Sequence, residues 1–353
     1  MAGESDHIVA EMATRIFTDL ADPQTVTAAK DGVWKAPLWH ALSEAGLPLA
    51  WVPESLGGSG ISLAEGFEVL GVAGRFALGV PLAETLIAGW LLTRAGLEAQ
   101  QGAMTAAPAR PHDHIQFNSD GTLHGRAAAV PFARDCDHIA VLAEGDAGTV
   151  VALVRTKDCR LSDGANLAHE PLNAVTFDGV TPLSHAAVDL DSTALMLFGA
   201  AVRSIQTAGA LEAILSRATD YANERVAFER KIGKFQAVQQ NLARLAGETA
   251  AALAVSTSAA DTLAQSDAFD DATFLEAASA KIRCAEAAAE GAAIAHQVFG
   301  AIGFTQEHVL HRFTLRMLSW RDDFGNESWW AAELGRRVAR LGADDFWPLV
   351  ASR

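Results

Sequence analysis

The sequence predicts a mostly α-helical protein with a small β-domain set between two helical regions. Three observations carry this. Apolar residues recur at helical spacing from residue 4 to about 100, and again after Asp191. From about 104 to 186, Pro108, Pro111, Pro131, Pro171 and Pro182 punctuate short β-prone runs. Several long helical stretches after 191 are rich in alanine, which suits a bundle of closely packed helices. The expected domains are an N-terminal helical domain over 1–103, a middle β-domain over 104–188, and a C-terminal four-helix bundle over 189–353.

Ile8, Met12, Ile16 and Leu20 recur every four residues and predict one buried helix face. Trp34, Leu38 and Leu42 predict a second helix that stops at Ala45-Gly46. The run Val52-Pro53-Glu54-Ser55-Leu56-Gly57-Gly58-Ser59-Gly60 is rich in glycine, but no Gly-Lys-Ser/Thr follows to make a phosphate loop. Ser62 and Glu65 have capping-box spacing and open the next helix, continued by Phe67, Leu70 and Val72. Pro81 begins another, through Leu91 and Leu92 to Gly96. Asp120-Gly121 and Glu144–Gly148 each separate two β-prone runs and predict hairpins, and Ala174–Phe177 predicts a further strand, six or seven in all. Beyond 191, Ile205, Ala208, Leu211, Leu215 and Ala218 make one helix face, and Phe235, Val238, Leu242 and Leu245 another. An alanine-rich helix runs from Thr273 to His296 after an acidic loop at 266–271. A fourth helix begins near Glu327 and carries Trp329, Trp330, Leu334 and Val338.

The chain has 353 residues, half hydrophobic and a fifth charged, as in a soluble globular protein with a sizeable core. A net charge of −16 argues against nucleic acid or an anionic membrane as a general partner. Cys136, Cys159 and Cys284 are far apart and odd in number, which fits no zinc site or disulfide framework and suits the reducing cytoplasm. The acidic, amphipathic start has no signal-peptide pattern, and no stretch of about 18 uncharged apolar residues predicts a membrane span. The histidines fit no metal-ligand spacing, and no Gly-x-Ser-x-Gly elbow supports hydrolysis. The tryptophans at 320, 329 and 330 read as core or interface, and Tyr221 as a helix-packing residue.

Residues 221–240 stand out in this acidic chain. They gather Arg225, Arg230, Lys231 and Lys234 with Phe228, Phe235 and Gly233 between two helices. By residue type alone this is either a solvated basic corner or an anion site, since a guanidinium offers a planar fork to phosphate or carboxylate.

Three segments resemble the acyl-CoA dehydrogenase family. Val52–Gly60 is similar to its Pro-Glu-x-x-Gly-Gly-x-Gly turn. Arg225-x-x-Phe228 followed by Ile232-Gly233-Lys234-Phe235-Gln236 is similar to its Arg-x-x-Phe-Gly … Ile-x-x-Phe-Gln. Gln297-Val298-Phe299-Gly300-Ala301-Ile302-Gly303-Phe304 is similar to its Gln-x-x-Gly-Gly-x-Gly-Tyr loop. The resemblance implies the family fold, an N-terminal α-domain, a middle β-barrel-like domain and a C-terminal four-helix bundle, assembled as a tetramer. It implies FAD as cofactor, with Arg225, Phe228 and Gln236 against a neighbour's pyrophosphate and adenosine, and Gln297, Gly300 and Gly303 in the turn near the adenine. It implies α,β-dehydrogenation of an acyl-CoA thioester, a carboxylate taking the α-proton and the flavin the β-hydride, with electron-transfer flavoprotein as electron acceptor.

The chain departs from the family in four places. Where the family has Thr-Glu-x-x-x-Gly-Ser-Asp in the β-domain, this chain reads Thr105 to Asp113, shortened and apolar. Where most members carry the catalytic glutamate, gap-free counting from Gly303 reaches Phe324; one residue of slack makes Asp323 the base. Alternatively Arg321-Asp322-Asp323 is a salt-bridge cluster at a helix end. Where other members carry a Glu-Arg pair on the first bundle helix, this chain has Gly199-Ala200, with Arg203 one turn on. Glu229 replaces the glycine after Arg-x-x-Phe. The ending Trp320-Arg321-Asp322-Asp323-Phe324-Gly325 is similar to short subunits of bacterial steroid side-chain enzymes, which pair two different chains as α2β2. Two readings stay open: a flavoenzyme subunit with Asp323 or a nearby acid as base, or a non-catalytic partner that completes another subunit's flavin site.

Overall fold

The structure is a computed structural model that describes residues 7–29 and 32–351. Residues 1–6, part of the start on which the absence of a signal peptide was read, lie outside the described residues. The chain forms two compact units. The first comprises Met1–Ala21, Asp31–Val69 and Gly79–Gly199; the second comprises Asp22–Lys30, Leu70–Leu78 and Ala200–Arg353. Along the chain the element order is helices, strands, helices, as expected.

In the first unit, α1 (Ile8–Leu20) buries Ala13 and Phe17, while Ile8 is 61% exposed. The buried face is thus rotated by one position from the expected 8-12-16-20 row. Neighbouring residues on a helix are about 100° apart, so the ring of Phe17 takes the centre and Met12 and Ile16 sit at its edges. After α2 (Pro23–Ala29), which belongs to the second unit, α3 (Lys35–Glu44) buries Leu38 and Leu42 and ends at Gly46, in the left-handed region at φ 71°. The glycine-rich turn at 52–60 packs against itself: a Cβ on Gly58 would lie 2.1 Å from the Val52 carbonyl oxygen. It is a tight structural turn rather than a phosphate loop. At the start of α4 (Leu63–Arg75), the Glu65 carboxylate accepts from the Ser62 hydroxyl at 2.6 Å and the Ser62 oxygen accepts from the Glu65 N–H, the expected capping box. Helix α5 (Leu82–Arg94) is buried through Leu92, and its Trp90 stacks on Phe198 at 3.9 Å.

The strands follow as β1 (Met104–Ala107), β2 (His114–Phe117), β3 (Leu123–Pro131), β4 (His138–Gly145), β5 (Gly148–Arg155), β6 (Arg160–Ser162), β7 (Leu172–Val180) and β8 (Ser184–Ala187). They form one sheet in the order β6-β7-β3-β2-β4-β5-β8, with β1 parallel to β4. Both expected hairpins are present. The second is tighter than its glycine-rich sequence implies, since Gly145 pairs with Gly148 across only Asp146-Ala147. The inward face packs Ile115, Val130, Ile139, Val141, Val154, Val175 and Phe177 into one core.

Helix α6 (Ser192–Glu224) runs 33 residues, assigned to the first unit up to Gly199 and to the second from Ala200. It is long and apolar enough to cross a membrane, yet 94% of its apolar window is buried within the protein, which marks a core helix. A two-stranded hairpin, β9 (Val226–Ala227) and β10 (Arg230–Lys231), leads to α7 (Gln236–Gln265). Helix α8 (Asp271–Phe299) is capped by Asp270, whose carboxylate accepts from the Thr273 N–H. Then come α9 (Leu310–Trp320) and α10 (Glu327–Ala351), the latter broken at Gly342. The sequence reading passed over α9, although Leu310, Phe313, Met317 and Trp320 have helical spacing and are buried. Small residues let these helices approach closely. A Cβ on Gly209 would lie 2.1 Å from the Gly71 carbonyl oxygen, and one on Gly74 would lie 2.2 Å from that of Gln206.

Candidate active site

The basic stretch is a largely exposed hairpin, anchored where Ile232 packs against the bundle core. Its backbone is pinned by Arg225 N–H to Tyr221 O and Ile232 N–H to Arg225 O, both 2.8 Å. The two turn residues, Phe228 and Glu229, have φ of 51° and 62°. A two-residue turn of this kind needs both central residues in the left-handed region, which is why glycine suits the second position and why Glu229 there is strained. Phe228 is 90% exposed and meets Phe235 edge-on at 6.2 Å. The Arg230 guanidinium lies 4.0 Å over the Phe235 ring. Arg225, Lys231, Lys234 and Gln236 are all exposed. The hairpin therefore presents cations, an aromatic face and an amide outward.

The second motif ends α8. Gly300, at φ 64°, turns the chain, and a Cβ there would meet nothing within 4 Å. Gly303 is constrained by packing instead: a Cβ would lie 2.9 Å from that of Phe299 and 3.1 Å from Leu310. Beside them is a groove of about 590 Å³ whose walls include Ala292, His296, Gln297, Gly300 and Phe304. His296 stacks on Phe304 at 4.5 Å and its Nε2 is 3.1 Å from the Thr314 hydroxyl; its Nδ1 is buried without a hydrogen bond. Burial pushes His296, His308 and His311 below the usual histidine range; His311 beside His296, and Arg217, His311 and His296 beside His308, add to it, while for His311 the His308 carbonyl opposes the shift and Arg312 and Arg316 add to it.

The two motifs share one end of the bundle. Tyr221, four residues before Arg225, packs its ring on Phe299 at 4.7 Å. The sequence had given Tyr221 only a packing role, and it is the packing residue that joins the two motifs. Asp323 lies elsewhere. It is 4% exposed, and its Oδ2 accepts from both Nε and Nη2 of Arg203 at 3.1 Å. Arg203 and Tyr221 are 18 positions apart on α6, about 27 Å at the helical rise. The six expected cofactor residues thus gather at one end, and the expected base is far along the axis. Sequence reasoning noted Arg203 but not its role; an arginine within the apolar run of α6 was the available signal. It missed Lys281, 2% exposed, whose Nζ donates to the carbonyl oxygens of Trp320 and Asp323.

In the β-sheet unit, Asp113 ties the shortened 105–113 stretch both to its own turn and to β3. The Asp113 carboxylate accepts the N–H groups of Ala128 at 2.7 Å, Arg110 at 3.1 Å and Ala109 at 3.4 Å.

Residues 3–109 match the model described as acyl-CoA dehydrogenase, N-terminal domain, and residues 191–337 match acyl-CoA dehydrogenase, C-terminal domain. The chain belongs to the acyl-CoA dehydrogenase family. Membership sets the reaction class, oxidation of a CH–CH bond of an acyl-CoA, and the cofactor, FAD. The chain is similar to acyl-CoA dehydrogenase IpdE2 of Mycobacterium tuberculosis, 28% identical over 89% of this chain and 91% of that protein. It is equally similar to acyl-CoA dehydrogenase FadE27 of the same organism, 28% identical over 87% and 89%. Among solved structures it resembles the ChsE4-ChsE5 complex from M. tuberculosis, with TM-score 0.87 at 24% identity over 97% of this chain and 99% of that one. It also resembles the Tcur3481-Tcur3483 steroid acyl-CoA dehydrogenase, TM-score 0.83 at 25% identity over 96% and 99%.

The residues present fit one part of FAD. The open space over Gly300, the groove beside it and the outward guanidinium of Arg225 provide room, an aromatic wall and positive charge for a dinucleotide phosphate.

Proposed function

We propose that this chain is one subunit of an FAD-dependent acyl-CoA dehydrogenase built from two related kinds of subunit as an α2β2 tetramer. The supporting observation is the hairpin: Phe228 is 90% exposed and strained, flanked by exposed Arg225 and Gln236. The turn itself sets the left-handed backbone there; what supports the reading is a large aromatic ring left in solvent beside outward polar side chains. Arg225 would neutralise a diphosphate, Phe228 would cover an apolar face of the cofactor, and Gln297 with the Gly300–Gly303 turn would receive the adenine end. Bound there, FAD supplies the acceptor for the β-hydride of the acyl chain. Relatives that pair two chains, one of them a steroid acyl-CoA dehydrogenase, support a bulky polycyclic acyl group as substrate. Electron-transfer flavoprotein would take the electrons onward.

A second reading is favoured by one specific observation. Asp323 is buried in an ion pair and Phe324 occupies the position expected for a base. On this reading the chain completes the flavin site of a partner subunit, and that partner supplies the carboxylate. The test is a visible spectrum of this chain purified alone and after co-expression with a related subunit. Flavin absorbance with turnover of a CoA thioester by the single chain supports catalysis here. A colourless chain that gains flavin only with a partner supports the second reading. A chain that binds no flavin in either state refutes both.

A further inference from the structure

We propose that the neutral imidazole of His296 positions the Gly300–Phe304 turn and the Phe304 ring for the ligand of the groove beside them, and that protonation of the imidazole releases that ligand. This rests on the reading above, which puts the nucleotide end of FAD at this turn. His296 lies in the last turn of α8 and holds the chain that follows at both ends. Its carbonyl oxygen accepts from the Gly300 N–H, and its ring stacks on Phe304 with the planes 29° apart. Phe304 is 74% exposed, and the imidazole is the ring that backs it. The same two rings form part of the wall of the 590 Å³ groove.

The hydrogen bonds fix which nitrogen is bare. The Thr314 hydroxyl has one proton and donates it to the Leu310 carbonyl oxygen at 3.2 Å. His296 Nε2, 3.1 Å from that hydroxyl, is therefore the donor to it, and Nδ1 carries the lone pair. Nδ1 is buried with no hydrogen-bond partner among the described residues, and it faces Gly303, where a Cβ would lie 3.5 Å from it. A second proton has only Nδ1 to go to, where no acceptor waits, and a buried, unpaired N–H on a cation is costly. The neighbours raise that cost. His311 faces His296 from α9, and His308, in the loop before α9, faces both of them and Arg217 on α6; Arg312 and Arg316 stand by His311. The carboxylates at this end are directed elsewhere, since Asp22 and Asp220 face Arg217 and Glu307 is exposed. A charged imidazole is thus driven from Gly303 towards water, and the turn and Phe304 lose their support. A histidine cation also attracts a diphosphate, an effect of the opposite sign. Release prevails because the charge is reached only by leaving the position that supports the turn.

The test uses the flavin-loaded protein isolated through a tag on this chain, with FAD as the probe. The dissociation constant is read by flavin fluorescence after equilibrium dialysis at pH 7.5 and pH 5.5. Hydrogen exchange of residues 300–305, corrected for the intrinsic effect of pH, is measured with flavin and without, and circular dichroism confirms the fold at each pH. The variants are His296→Phe and His296→Gln, neither of which can take the proton; should one fail to fold, the other carries the same comparison. One proton raises the constant by at most about tenfold per pH unit below the ordinary histidine value of about 6.5, so the parent should bind about three- to tenfold more weakly at pH 5.5, with faster exchange of the turn. In the variants the ratio of the two constants returns to about one, whatever their absolute affinity, and acid no longer speeds exchange of the turn. A parent that binds FAD equally well or more tightly at pH 5.5 overturns the proposal. So does a variant that keeps the parental ratio, because another group then carries the proton. If FAD binds at neither pH, the reading that places flavin here fails; acid-accelerated exchange of the turn that the variants abolish then still upholds the role of His296, and exchange indifferent to acid overturns it.

Discussion

Replacing Phe228 separates the needs of the chain from those of its cofactor. The ring is 90% exposed, so Phe228→Ala leaves the isolated chain within about 0.5 kcal/mol of the parent in urea unfolding. The backbone at φ 51° makes a sharper demand. A Cβ in the left-handed region costs about 1–2 kcal/mol, so Phe228→Gly is more stable than Phe228→Ala by about that much, the reverse of the order expected in regular structure. Cofactor affinity moves the other way. If the flavin dinucleotide covers half the ring, on the order of 100 Å² of apolar contact is lost, about 2.5 kcal/mol at ~25 cal/mol/Å², or roughly 60-fold in dissociation constant. The assay is flavin fluorescence on diluting the flavin-loaded protein. A glycine variant less stable than the alanine variant would refute the backbone strain, and an alanine variant that retains parental flavin affinity would refute the argument that the exposed Phe228 ring serves the cofactor.

Three further outcomes are expected. His296, His308 and His311 are held neutral by burial, so the stability they contribute is complete above their ordinary value of about 6.5 and is lost as pH falls below it. The melting midpoint of the chain should drop between pH 7 and 5, and His311→Asn should flatten that slope; identical slopes would show that the cluster is not buried as described. Gly209→Val sets a side chain against the Gly71 carbonyl oxygen, where even a Cβ lies 2.1 Å away, and should cost more than about 2 kcal/mol or abolish soluble expression. Cys284, pushed up to about 12 by burial, should resist iodoacetamide at pH 8 in the folded chain and react once it is unfolded in urea.

Much of this molecule is legible in local pattern. Ser62 and Glu65 make a capping box wherever they occur at that spacing ahead of an apolar run, and Asp120-Gly121 turns a hairpin by its own backbone preference. Arg225, Phe228, Gln236, Gln297, Gly300 and Gly303 were singled out through the resemblance of their contiguous motifs to a family, since residue type alone left the basic stretch either a solvated corner or an anion site. That both motifs meet at one end of the bundle depends on Tyr221 packing against Phe299, a contact 78 positions apart in sequence. The glycine-rich turn at 52–60 shows the opposite limit, since composition cannot tell a phosphate cradle from a turn closed on the Val52 carbonyl.

By itself the sequence determined the element order, the Ser62–Glu65 capping box, the turns at Asp120-Gly121 and Glu144–Gly148, the family motifs and the clustering of cations at 225–234, because these follow from preferences within a few residues. Only the tertiary structure decided the fate of Asp323. An exposed aspartate near the end of a helix and one paired at 3.1 Å with an arginine 120 positions earlier are the same letter in the same local context. The difference lies in burial and in the partner, and both are properties of packing between α6, α8 and the turn that follows α9.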